Sequence, residues 1–310
     1  MTAAGALTHR LARERYGAAR RFLEAEGRAL DQALLAHALG EAGSEPALVA
    51  LGGFQNADGG FGHGLEPDTT SPASTAIATS IGLRFLARLG ASGRHPIVRA
   101  AIDWLGGAID RERGVWPIIG PGVDLAPHAP WWSWSEDLAQ NWNGFRFNPT
   151  AEVLDWLYTY RDATPPGLID AAEAGMRQSI AETELIEGAY DLKCAVRLAE
   201  NEAAPADISA PLAALIRKSA AAHDPADEHA SVFDYAATPT GPFADIVADR
   251  LEGGIGDLIA AQQDDGGWTC FWDWSYVDAK AWAKAKHDWR GWLTREALET
   301  LAAHGRIEGI

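Results

Sequence analysis

Apolar and polar residues follow one another along most of this chain with the spacing of amphipathic helices. In residues 7–23, Leu11, Tyr16, Ala19 and Phe22 recur roughly three or four apart, with arginines between them. Comparable segments lie at about 29–41, 45–55, 72–89, 95–110, 149–161, 167–182, 189–200, 208–222, 240–250, 252–263 and 293–304, which predicts about twelve helices. No run of alternating apolar and polar residues marks a sheet. The pattern predicts an all-α protein.

The helices are punctuated by a repeated turn. Leu51-Gly-Gly-Phe-Gln55-Asn-Ala-Asp58-Gly59-Gly60-Phe61 is similar to Ile259-Ala-Ala-Gln-Gln263-Asp-Asp265-Gly266-Gly267-Trp268, with Gln55 set against Gln263. A worn copy runs from Leu105 to Gly114-Val115-Trp116 and has lost the glutamine. From Phe61 to Trp116 is 55 positions and from Trp116 to Trp268 is 152, close to three more such steps. A period of about 50 gives about six helix–turn–helix units. Glycine supplies the positive φ that ends one helix, and Pro72, Pro149 and Pro239 suit the start of the next. One hairpin cannot bury its apolar face alone, whereas six bury theirs by closing on each other. The expectation is a single (α/α)6 toroid over 1–310, with the Gly-, Pro- and Trp-rich stretch 117–147 as an inserted loop.

The two sharp copies of the turn resemble the QW-type repeats of squalene–hopene and oxidosqualene cyclases and the Gly-Gly-Phe repeats of protein prenyltransferase β subunits. The segment 62–72 also resembles part of uncharacterised bacterial prenyltransferase-repeat proteins. The resemblance implies an α/α toroid around a deep aromatic cavity, with Gly62-His63-Gly64-Leu65-Glu66-Pro67-Asp68 at its rim or ceiling. It does not carry the chemistry. The Asp-x-Asp-Asp of class II cyclases, the Asp-Asp-x-x-Asp of class I synthases and the zinc-binding Asp-x-Cys of prenyltransferases are absent. Asp191-x-x-Cys194, and Cys270 with His287, are the nearest approaches to a metal set.

Charge narrows the partners. There are 26 Lys and Arg against 43 Asp and Glu, a formal net charge of −17, which repels nucleic acid and anionic lipid. Two cysteines do not make a disulfide framework. The first ten residues hold no apolar stretch with a cleavage site, and nowhere do eighteen apolar residues run together. A cytoplasmic protein with a small-molecule substrate and no membrane insertion is expected. No P-loop, serine elbow or zincin motif occurs, and His128, His223 and His229 have no partner at metal-ligand spacing, so neither cofactor nor metal is expected.

The candidate chemistry sits where the turns meet the cavity. His63, Glu66 and Asp68 place three ionisable groups within six positions on the first glycine turn. A carboxyl group desolvated there becomes a general acid near neutral pH; the alternatives are a helix cap for Asp68 and an ion pair for Glu66. Glu187, Tyr190, Asp191 and Cys194 share a segment in which Asp191 and Cys194 lie on one helix face. The 13 tryptophans concentrate in Trp131, Trp132, Trp134 and Trp142 and again between Trp268 and Trp292. Trp272 and Trp274 are expected to bind substrate, with Asp273 as a further catalytic acid and Asp278 as a polar contact, and Trp131, Trp132 and Trp134 to form a lid. Asp227-Glu228-His229 and Phe233-Asp234-Tyr235 read as a loop able to supply polar groups to the mouth.

Two enzyme readings and one binding reading follow. The first is a terpenoid-cyclase-like enzyme in which Glu66 or Asp68 protonates an apolar substrate and tryptophans stabilise positive charge. The second is a carbohydrate-active barrel with two carboxyl groups and stacking rings. The third is a non-catalytic binding protein. An isoprenoid site is expected to be apolar to its floor, and a sugar site polar between its aromatic platforms.

Overall fold

The computed structural model describes residues 8–222 and 231–310, so His223, Asp227, Glu228 and His229 lie outside the described residues. Among the described residues there are thirteen α-helices, four short 3-10 turns and no strand beyond isolated bridges. The helices are α1 (Arg13–Glu26), α2 (Ala29–Ala38), α3 (Glu45–Gly52), α4 (Ala76–Arg88), α5 (Pro96–Ala108), α6 (Leu138–Asn141) and α7 (Thr150–Thr159). They continue with α8 (Leu168–Glu182), α9 (Ala189–Glu200), α10 (Ala206–Ala222), α11 (Val232–Tyr235), α12 (Leu251–Ala260) and α13 (Ala279–Ala303). None is long and apolar enough to cross a membrane.

Consecutive helices pair as α2/α3, α4/α5, α7/α8, α9/α10 and α11/α12. One member of each pair also packs on its counterpart, α4 on α7, α7 on α9 and α9 on α11, while α1 and α2 lie against α13. The two ends of the described chain meet: Leu11 N–H donates to Arg306 O at 2.8 Å and Glu308 N–H to Leu11 O at 3.0 Å. Leu11 and Ile307 are buried where they do so.

The repeated turn is built the same way each time. The N–H groups of Phe61, Trp116 and Trp268 donate to the hydroxyls of Thr79 on α4, Thr150 on α7 and Thr294 on α13, at 3.0, 3.1 and 3.0 Å. The Trp116 and Trp268 indoles donate back to Leu105 O and Leu258 O, both at 2.8 Å. Gln55 Nε2 bridges to Gly59 O and to Ile97 O on α5, each at 2.9 Å. Its counterpart is Gln262, which bridges to Gly266 O at 2.8 Å and Arg15 O on α1 at 3.0 Å. The expected pairing of Gln55 with Gln263 is therefore off by one: with Gln262 both copies hold seven residues from glutamine to aromatic. Gly59 and Gly266 have φ of +95° and +96°, and a Cβ there would stand 2.3 Å from Ala100 O and 2.5 Å from the Ala18 carbonyl. Only glycine lets these turns touch α5 and α1.

Two helix expectations are corrected. Residues 240–250 form only the 3-10 turn Ala244–Val247, because Gly241, Pro242 and the polar surface around them give no apolar stripe. The last helix starts at Ala279 rather than 293, capped by Asp278, whose carboxylate accepts from Lys280 N and Ala281 N at 3.0 and 2.9 Å. Trp282, Ala285, Trp289 and Trp292 recur three and four apart along it, a helical stripe hidden among many tryptophans. Residues 117–147 are not plain loop: they carry the turns Pro121–Leu125, Pro130–Trp132 and Asn143–Phe145 and the short α6. Ile118, Ile119, Val123 and Trp132 pack there with Cys270, Trp274 and Trp282, joining the insert to the C-terminal stretch.

Candidate functional site

The first glycine turn runs straight into Leu65-Glu66-Pro67-Asp68, and neighbours fix that segment on both sides. The Arg28 guanidinium, at the start of α2, donates to Gly64 O and Leu65 O at 3.3 and 3.4 Å. On the other side the insert is stitched to it: Ala129 N–H donates to Asp68 O at 2.8 Å, Thr70 N–H to Pro127 O at 3.1 Å and Ser71 Oγ–H to Gly122 O at 2.7 Å. Glu66 and Asp68 are thereby held inside, 6 % and 3 % exposed.

Around them stands a wall of indoles. Trp274 Nε1–H donates to Asp68 Oδ1 at 2.7 Å. Trp272 and Trp289 meet edge-to-face at 5.1 Å, Trp289 continues to Trp292 at 5.5 Å, and Trp132 stacks on Trp142 at 4.9 Å. Burial pushes the Glu66 carboxyl well above the usual range and the neighbouring Asp68 charge pushes it further; N–H groups of Asp68, Trp132 and Thr69 oppose this more weakly. Burial raises the Asp68 carboxyl too, while Trp274, Trp289 and Trp272 pull it back as donors. Of these three indoles only Trp274 closes a hydrogen bond of good geometry; Trp272 and Trp289 act from poorer positions and are left without a partner. Glu66 Oε2, Thr69 Oγ1 and the indole nitrogens of Trp132, Trp272 and Trp289 are buried without a hydrogen bond of good geometry, Trp132 acting on Glu66 only from a poorer position. Buried polar groups are ordinarily paired, so this concentration makes the cluster a candidate site.

Tyr190, at the start of α9, is 54 % exposed, yet its hydroxyl is pushed up to about 12, by desolvation first and then by the charges of Glu66, Asp68, Asp234 and Glu296. Charged groups of α4, α7, α9, α11 and α13 come together near it. Arg84 and Arg197 both bind Glu152, and Arg197 does so at 2.9 Å. Burial would raise the Glu152 carboxyl, but the charges of Arg197 and Arg84 hold it below the usual range. Lys193 faces Asp234 at 3.4 Å. Glu296, 44 % exposed in its side chain, exerts its charge on Arg84, Arg197 and Tyr190.

The structure brings together only part of the expected site. Glu66, Asp68, Trp132, Trp272 and Trp274 form one cluster, with Tyr190 facing it electrostatically. His63 is not among them: it is exposed, in the left-handed region at φ 57°, and bonds Asn56 Oδ1 at 2.7 Å on the outer side of the turn. Asp273 is exposed and serves as a turn anchor, accepting from Ser275 N and Oγ and from Trp282 Nε1, which keep its carboxyl below the usual range. Asp278 caps α13 through Oδ1. Asp191 is buried but committed to Asn143 Nδ2 at 2.7 Å and Asn148 N at 2.9 Å, and it lines a different hollow of about 510 Å³ with Arg113, Gln140 and Arg146. Trp131 is exposed, whereas Trp132 is buried in the cluster with Trp274 and the half-buried Trp134 packs against that cluster.

Neither cysteine belongs to a metal set. No group of three or more His, Cys, Asp or Glu among the described residues could hold a metal ion. Burial raises the Cys194 and Cys270 thiols, the opposite of what a nucleophile needs, and His287 faces Glu26 at 3.7 Å. Sequence reasoning missed Trp289, Arg84, Arg197, Lys193 and Glu296. The signal was available in α9, where Tyr190, Lys193 and Arg197 fall on one helical face, and in α13, once its true start is known. Asp234 is the polar group that the loop before α12 supplies. Comparison with protein-family models, curated proteins and solved structures finds no match.

Proposed function

We propose that this chain is an acid–base enzyme acting on a hydroxylated, carbohydrate-like small molecule inside an (α/α)6 toroid. The observation that carries the reading is the buried Glu66 carboxyl group, its Oε2 unpaired, set among indoles and within reach of the charged groups around Tyr190. Glu66, neutral when its neighbours are ionised, donates a proton to a leaving oxygen. Asp68, fixed by the Trp274 N–H, is the carboxylate that stabilises developing positive charge or activates water. Trp272 and Trp289 offer faces and edges for stacking, and Glu296 and Arg197 offer acceptors and donors for hydroxyl groups. Because both acids are sealed, substrate reaches them when the Trp132 end of the insert shifts.

The ring reading is supported by the last glycine turn, which docks on α1 through Gln262 as the first docks on α5 through Gln55. It is also supported by the joined ends at Leu11 and Ile307. On that reading 1–310 is one domain, cytoplasmic, with the 117–147 insert over its mouth. The terpenoid-cyclase-like alternative, to which the QW-type resemblance points, is favoured by the continuous indole wall around Asp68. Incubation with oligosaccharides and with polyprenyl substrates, each against Glu66→Gln and Asp68→Asn, separates the two. Sugar turnover abolished by both substitutions supports the proposal. Turnover of a polyprenoid alone, or sugar turnover indifferent to both substitutions, overturns it.

A further inference from the structure

Residues 269–278 link the last glycine turn to α13, and both ends of the link are fixed. Trp268 N–H is held by Thr294, and the Asp278 carboxylate receives the first N–H groups of the helix. Its middle is fixed by Asp273, which accepts from Ser275 N at 2.8 Å, Ser275 Oγ at 2.6 Å and Trp282 Nε1 at 3.1 Å. Asp273 is exposed, so the next side chain, Trp274, turns the other way and is 0 % exposed. It packs on Trp282 at 5.5 Å and in one cluster with Ile118, Val123 and Trp132 of the insert. The indole is thus clamped, and its Nε1–H is aimed at Asp68 Oδ1, 2.7 Å away.

An indole N–H can only donate, and a donor held rigidly on a buried carboxylate favours the ionised form. Glu66, two residues earlier and also buried, has no such donor, since its Oε2 closes no hydrogen bond of good geometry. The other titratable and charged groups nearby do not change this. Arg28 on α2 spends its Nη1 on Gly64 O and Leu65 O and its other donors on Asp31. His128 of the insert bonds Ala126 O and Ser133 Oγ and faces Asp124. Cys270, before α13, and Tyr190, on α9, sense the Asp68 charge, and Lys286 on α13 acts on Cys270. No cation among the described residues pairs with Asp68; only indole donors oppose its burial.

We propose that Trp274 is a positioning residue of the acid pair: through its N–H on Asp68 it makes Asp68 the readier of the two to ionise and leaves the proton on Glu66. The inference rests on the acid–base reading above and names what divides the two roles within it.

A pH titration of the full chain carrying ¹³Cγ-aspartate and ¹⁵N-tryptophan tests this, in the unmodified protein, in Asp68→Asn and in Trp274→Phe. One aspartate carboxyl signal, absent from Asp68→Asn, is expected to share its midpoint with one indole N–H signal. That indole is expected to lose its pH dependence in Asp68→Asn. In Trp274→Phe the same indole signal is expected to vanish and the Asp68 midpoint to rise by about one to two pH units, the worth of a charge-assisted hydrogen bond. An indole that ignores Asp68, or an Asp68 midpoint unmoved in Trp274→Phe, overturns the role of Trp274 and leaves the acid–base reading standing. Should Trp274→Phe fail to fold, the indole titration of the unmodified chain decides alone. The expected shifts in a protein that turns over neither sugar nor polyprenoid overturn the acid–base reading and leave the hold of Trp274 on Asp68 in place.

Discussion

Asp155 shows how a single carboxyl group on an inner helix becomes a pH-dependent element. It is buried on α7, its carboxylate accepts from Asn201 Nδ2 at 2.6 Å, and burial raises it to about 7. An unfolded aspartate titrates near 3.8, so between about pH 4 and 7 the folded chain keeps a proton that the unfolded chain has lost. Stability from this group is full below that window and is lost as pH rises through it. Asp155→Asn is expected to flatten the fall of Tm between pH 4 and 7, which thermal unfolding across a pH series measures. Glu66 follows the same sign, since its folded value is raised as well. Glu66→Gln is therefore expected to leave stability at pH 7 equal or higher while removing turnover, a combination that separates a chemical role from a structural one. Trp132→Phe keeps the ring in the insert but removes its unpaired indole N–H, and is expected to change kcat or KM with little change in Tm.

At the scale of the element, the three threonines that receive the turn aromatics are the most economical test of the repeat. Thr79→Val, Thr150→Val and Thr294→Val each orphan a buried N–H on Phe61, Trp116 or Trp268, and each is expected to lose about 1–3 kcal/mol in denaturant unfolding. Comparable losses at all three would show the worn copy at Trp116 to be equivalent to the sharp ones. Gly266→Ala adds a Cβ against the Ala18 carbonyl at positive φ and is expected to lose at least ~2 kcal/mol. The turns and most helix spans were legible because glycine, glutamine and apolar spacing act locally. The glutamine register was not, since Gln262 and Gln263 are adjacent and only the bridge to Gly266 O distinguishes them. The start of α13 was obscured by its tryptophans, which serve both the helix stripe and the wall. The burial of Glu66, Asp68 and Trp274 was legible from their positions after the glycine turns. The partners of His63, Asp273 and Asp278 were not, because spacing cannot tell an inward polar group from one spent on a cap or turn. Arg84, Arg197 and Glu296 come together only through packing between distant helices.

For the whole molecule, the two ends of the described chain are joined through Leu11 and the residues around Ile307. Ile307 is buried against Leu11, and Ile307→Ala is expected to lose about 2–4 kcal/mol, as a core position does and a fraying end does not. Inside, the fully buried Arg295 bonds Asp31 on α2 and Glu299 on its own helix and lies over Phe85 and Trp292, so α2, α4 and α13 are tied together. Within that frame, burial among the indoles raises the Glu66 carboxyl above the usual range. The most direct measurement of this claim is a pH titration of the side-chain carboxyl carbons in ¹³C-glutamate-labelled protein, with Glu66→Gln to assign the signal. One glutamate resonance that titrates well above the surface glutamates, and is absent from Glu66→Gln, is the result expected. A Glu66 signal that titrates with the surface glutamates near pH 4.5 would contradict the account.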